Sequence, residues 1–262
     1  MQHDELARDD RFFSVGFEAR QLDARRANRA PEPMAPSTRT GPDQARSLMH
    51  GIMVGEMQAM EGAGRTCWDF ADDDLPFAFR LDMARQTWDE SRHMEISVWL
   101  MGHMGVELGE YAENTILFEA SCNADPVLRL TGVNRALEGL AIDVFNMMKE
   151  FGEQGGDPVM QLCEDWMLAD EVTHVKMGSD WLRRLSEGDK ERRDKALEFQ
   201  RTVDQLFNFR GSRGDEDDAA AFFRLSRRFR RLAGFSDAEI DSIRDDSLAA
   251  RAQARAEQEA GL

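Results

Sequence analysis

The sequence predicts an all-α protein: a four-helix bundle with one long crossover, followed by additional C-terminal helices. Three observations lead to that class. Met, Leu, Ala and Glu are abundant, with 15 methionines in 262 residues, and these residues favour helix, whereas the β-branched runs that favour strands are scarce. Acidic and proline-bearing start signals recur along the chain, and glycine clusters close several of the long segments between them. A composition of 42% hydrophobic and 32% charged residues is that of a globular protein with a real core.

Residues 1–42 read as an N-terminal arm and linker. The arm is charged apart from Phe12, Phe13, Val15 and Phe17, a patch suited to a docking arm or a short helix. Pro31, Pro33, Pro36, Gly41 and Pro42 make the linker extended, because proline cannot propagate a helix and restrains its predecessor. Asp43 offers an N-cap for a first helix over about 43–66. Asp72-Asp73-Asp74-Leu75-Pro76 opens a second, running to about Met101, where Gly102, Gly105 and Gly109 break it. A long connection reaches Asp125-Pro126, the start of a third helix ending near Gly152, Gly155 and Gly156. Asp157-Pro158 starts a fourth, to about Glu187. Short links within each pair and a long one between the pairs give residues 43–187 the connectivity of a ferritin-like bundle. Residues 188–262 form a charged helical extension, with helices over 189–209, 217–232 and 236–258, read as a covering or oligomer-forming part.

The formal net charge of −17 argues against a dedicated nucleic-acid binder, since phosphate contacts need basic surface. The basic clusters Arg183–Arg184, Lys190–Arg193 and Arg227–Arg231 read as solvated helix faces. No apolar run suggests a signal peptide or a membrane span. Cys67, Cys122 and Cys163 are isolated and odd in number, which fits reduced, packed thiols in a cytoplasmic protein.

The chemistry lies in two Glu-x-x-His motifs, Glu90-Ser91-Arg92-His93 and Glu171-Val172-Thr173-His174. Residues three apart share a helix face and can ligate one ion. Each motif sits on the second helix of a hairpin, and each has a Glu on the preceding helix, Glu56 before the first and Glu138 before the second. The intervals, 34 and 33 residues, nearly repeat. Four carboxylates and two imidazoles form the ligand set of di-iron and di-manganese bundles. Carboxylates offset cation charge and imidazole suits iron and manganese. Glu56 interrupts an apolar stripe of Met49, Met53 and Met60, and Leu137, Ala141 and Val144 flank Glu138 in the same way. Acids on inward faces of four helices are hard to explain without a cation.

Other polar residues are placed less sharply by the helical period. Glu61 lies roughly 140° around the helix from Glu56, outside the same ligand group, and His50 lies about 9 Å along the axis from it. Either serves equally well as pocket lining, as a support behind the ligands or as structure. Ser97 and Phe145, with Met53, Met94 and Met101, line a pocket if they face inward, although such stripes are more often plain core. His103, among glycines, reads as structural, and His3 as disordered.

The stretches HGIMVGEMQAME (from His50), DESRH (from Asp89), LEGLAIDV (from Leu137) and DEVTHVKMGSDW (from Asp170) resemble a bacterial ferritin-like family catalogued as a domain of unknown function. That family is distantly similar to the tRNA-modifying diiron hydroxylase. The resemblance covers about residues 30–185 and implies a diiron-type centre held by Glu56, Glu90, His93, Glu138, Glu171 and His174. It further implies that Asp89 orients His174 and that Asp170 orients His93; the plain alternative is that both are surface acids. Ser97 stands where the radical-forming ribonucleotide reductase subunit carries tyrosine, and Ile142 where multicomponent monooxygenases carry threonine. The CxxC iron site of rubrerythrins is missing.

The function expected is an oxidase or hydroxylase that uses two iron ions, or manganese or a mixed pair, with O2 to oxidise a small organic substrate. No catalytic residue beyond the metal ligands is assigned. An external electron donor and a homodimer are expected with it, and neither a nucleic-acid nor a membrane partner. The alternatives are a ferroxidase, peroxide-scavenging or metal-handling protein, and a scaffold with a structural metal pair.

Overall fold

The computed structural model describes residues 42–71, 74–111, 113, 115–206, 211–219 and 221–259. The expected arm, its apolar patch, most of the proline-rich linker and His3 lie outside the described residues, as do Asp72 and Asp73. The chain divides into two compact units, one ending at Cys122 and the other starting at Asn123.

The first unit is a helical hairpin. Helix α1 spans Pro42–Asp69 and α2 spans Phe77–His103. Contacts descend along one helix as they climb the other, the mark of an antiparallel pair: the Cys67 thiol approaches the Arg80 carbonyl, His93 meets Glu56, and Arg46 reaches the Gly105 carbonyl. Helix α2 starts at Pro76, whose ring pre-sets φ. The long connection after it contains a short helix, α3, Ile116–Ser121. It is anchored to α1 where the Phe118 amide donates to Gln58 and where a β-carbon on Gly62 would lie 2.8 Å from that of Ser121.

The second unit holds the other hairpin and the C-terminal segment. The third helix is not uniform. It comprises α4 (Pro126–Leu130), a π-helical turn (Thr131–Leu137) and α5 (Glu138–Gly155). Nothing in the apolar spacing announced the π turn. Helix α6 spans Pro158–Leu185, entered through Asp157, whose carboxylate accepts from the Val159 and Met160 amides. Gly156, at φ 68°, caps α5 in the left-handed conformation that glycine adopts freely. At Gly152 the two helices come so close that a β-carbon would sit 2.8 Å from the Gln161 nitrogen.

Helix α7 (Lys190–Leu206) and α9 (Asp237–Glu259) agree with expectation. Between them the predicted helix over 217–232 is replaced by two short parallel strands, β1 (Arg213–Gly214) and β2 (Phe223–Arg224), and a short helix, α8 (Arg227–Leu232). Side-chain pairing by Arg227 and Arg230 holds the alternative. The Arg227–Arg231 cluster is correspondingly not a simple solvated face. Arg227 bridges Asp215 and Asp241, and Arg230 is fully buried. Its guanidinium pairs with the buried Asp143 of α5 at 2.6 Å and donates to the Gly139 carbonyl. Burial opposes the charge on Arg230, but Asp143 more than compensates and holds its pKa above the ordinary value. Cys67 and Cys163 are half-buried, and Cys122 is exposed. Among the described residues no helix is long and apolar enough to cross a membrane.

Arg230→Met leaves Asp143 buried without its countercharge and is expected to cost about 3–5 kcal/mol. Thermal unfolding should report a fall in Tm of roughly 10 °C, most of it recovered in Arg230→Met/Asp143→Leu.

Candidate metal centre

In the first unit, Glu56 on α1 and Glu90 and His93 on α2 are all buried. The Nδ1 atom of His93 lies 3.1 Å from Glu56 Oε2 and 3.2 Å from Glu90 Oε2. Each residue offers a ligand atom within 4.8 Å of the others. Gln86, one turn before Glu90 and also buried, donates to the remaining Glu90 oxygen at 3.2 Å and so fixes which oxygen faces the histidine.

The second unit repeats the arrangement. Glu138 begins α5, and Glu171 and His174 lie one turn apart on α6, all buried. Their ligand atoms too fall within 4.8 Å of one another. Again it is Nδ1 that faces the acid, 3.4 Å from Glu171 Oε1. Asn134, in the π turn, donates to the His174 carbonyl.

These triads fit a cation. Ligand atoms about 2.1 Å from an ion, at octahedral or tetrahedral angles, lie about 3.0–3.4 Å apart. Each triad has two carboxylates and one imidazole, so one divalent ion neutralises it. Three ligands leave positions for water, substrate or a shared carboxylate. The oxygen-rich, single-imidazole donor set suits iron or manganese better than a thiolate-preferring metal.

The remaining candidates separate. Asp89 is buried and accepts from Arg85 at 3.3 Å and from Arg92, so a neighbouring cation shares it, and Asp170 is half-buried. Ser97 and Phe145 are buried, as are Met53 and Met101, whereas Glu61 and His103 are exposed. Glu61's exposure agrees with its offset from Glu56 around the helix and speaks against the pocket-lining expectation.

His50 is fully buried, where its Nε2 accepts from the Gly109 amide at 3.1 Å and its ring meets Tyr111 edge-on. It therefore ties the connection after α2 back to α1. Burial pushes its pKa below 6.5, only partly offset by Glu113 and Glu110.

Three further buried acids, Asp143, Glu164 and Asp204, lie outside the two motifs, and Asp204 pairs with Arg213. Glu164, two turns before Glu171 on α6, sits between the core residues Met160 and Met167, a signal the sequence did carry. Asp143 has the same character but belongs to the Arg230 pair.

The fold and site thus define an all-α protein with a repeated buried Glu/His triad able to hold metal. The family described as "Protein of unknown function (DUF455)" matches residues 12–241, and the chain belongs to it. An uncharacterized protein of Haemophilus influenzae is 27% identical over 147 residues, covering 53% of this chain and 51% of that protein. The chain therefore spans about half the length of the curated relative it matches. No solved structure gives a significant match.

Two outcomes follow from the geometry. His174→Ala or Glu138→Ala should remove about one bound ion per chain, measured by metal analysis after equilibrium dialysis, while a triad that needs no metal would leave the content unchanged. His50 gives a pH effect. Its folded pKa is depressed, so stability is full above about 6.5 and declines as pH falls below that value, where the unfolded chain binds the proton more readily. His50→Gln should flatten that part of the Tm-against-pH curve.

Proposed function

We propose that Glu56, Glu90, His93, Glu138, Glu171 and His174 together hold two metal ions, iron in the first place, and that the protein is an O2-dependent oxidase or hydroxylase of ferritin-like type. The repeated triad carries this reading: two hairpins with different loops present the same three residue types, with the same histidine nitrogen turned inward. Asp89 and Asp170 are assigned to support the outward nitrogens of the histidines, a role that fixes tautomer and ligand strength.

Two ferrous ions, when bound, supply the reduction of O2. The chain's own part is to hold and shield. Four carboxylates match the charge of two divalent ions and so favour the ferrous pair. Gln86 fixes the orientation of Glu90. Buried methionines and Phe145 keep bulk water from the ligands, which protects reactive species from side reactions. Ser97, buried one turn beyond His93, offers a hydroxyl in place of a redox-active phenol.

Hydroxylation of R–H consumes O2, two electrons and two protons and releases R–OH and water, so a two-electron donor is part of this proposal. A small organic substrate, a cytoplasmic setting and a homodimer complete it.

Anaerobic loading with Fe(II), followed by O2, is the test. The expected result is stoichiometric oxidation of two irons per chain, and sustained O2 uptake only when a reductant and substrate are present. Uptake of many irons per chain would favour iron handling. Failure of the loaded protein to react with O2 would overturn the oxidase reading, and thermal stabilisation by metal without redox chemistry would mark a structural pair.

A further inference from the structure

We infer that the C-terminal segment is a clamp that sets the position of Glu138, acting through Arg135 and Phe235. The inference rests on the metal reading of Glu138, and every contact in it lies within the second unit.

A π turn spends more residues per turn than an α-helix and survives where its surroundings hold it. Relaxing Thr131–Leu137 to α geometry would rotate Glu138 relative to α4 by about 100°. The surroundings here are specific. Arg135, within the turn and buried, donates to Gln200 of α7 at 2.8 Å, to Ser179 of α6 and to Glu239 of α9. Its guanidinium also lies 4.4 Å from the centre of the Phe235 ring, and Arg230 lies 5.1 Å from the same ring. The ring is thus shared by two arginines.

Arg230 in turn holds the Gly139 carbonyl, the residue directly after Glu138. At Gly139 a β-carbon would come within 3.3 Å of both Arg230 and Phe235. At Gly132 one would lie 2.6 Å from the Phe199 ring of α7. Glu138 is therefore bracketed on both sides by backbone that the C-terminal segment grips. Its counterpart Glu56 lies within the continuous helix α1.

Arg135 is a positioning residue, and its effect on metal should follow. Full-length protein stripped by chelation is titrated with Co(II), whose visible spectrum reports coordination without redox chemistry. Wild type is expected to take two Co(II) per chain. Arg135→Met should keep its helicity by circular dichroism yet bind one Co(II) 10–100-fold more weakly, with an altered spectrum. Amides of residues 131–138 should exchange faster. Arg135→Lys, which keeps the charge beside Glu239, should recover part of the affinity. Should Arg135→Met lose its helicity, Glu239→Gln at the rim serves the same purpose with a smaller effect. A folded variant with two unchanged Co(II) affinities and spectra overturns the clamp alone. A wild-type protein that takes up no Co(II) overturns the metal reading on which it stands.

Discussion

Burying carboxylates side by side is the constraint on which this structure depends. Glu56 and Glu90 in one hairpin, and Glu138 and Glu171 in the other, are withdrawn from water together with a histidine each. Ionised carboxylates pay a large desolvation cost and repel one another. Imidazole in its neutral form relieves little of that. A divalent ion bound in each triad would cancel the charge, satisfy lone pairs on acid and imidazole alike, and turn the most costly part of each hairpin into a cross-link between its helices.

The rest of each unit serves that constraint differently. In the first, regular helices suffice: Glu56, Glu90 and His93 come together because antiparallel pairing aligns them, and Gln86 and His50 fasten the periphery. In the second, Glu138 follows an irregular turn held by α7 and α9, and Arg230 holds the helix just after it. Asp143 and Arg230 illustrate how such a buried pair specifies position, since each is costly without the other. The charged C-terminal segment thus gains a structural reason for its composition: Arg230 turns inward on α5, while Arg213 and Arg227 pair with acids of the segment itself.

Much of this was legible in the sequence because helical period and start signals are local. Asp157-Pro158 and Asp125-Pro126 mark helix starts within a residue, and the Glu-x-x-His spacing selected residues that the fold brings together within each hairpin. What escaped was nonlocal. The π turn has ordinary residues, and its geometry comes from Asn134, Arg135 and Gly132 packing against α6 and α7. Residues 217–232 carry helix-favouring Ala and Arg, yet Arg227 and Arg230 are drawn to Asp215, Asp241 and Asp143, whose proximity no window reveals. Gln86 and Glu164 are polar residues on inward faces. Neither belongs to a Glu-x-x-His pattern, and polar type alone does not mark a residue as inward.

Anomalous diffraction from crystals of the as-purified protein, measured at the iron and manganese edges, tests the central claim most directly. Two first-row ions per chain are expected, bound through Nδ1 of His93 and Nδ1 of His174. Well-ordered triads with no anomalous density beside either histidine, in protein grown with ample metal, would contradict it.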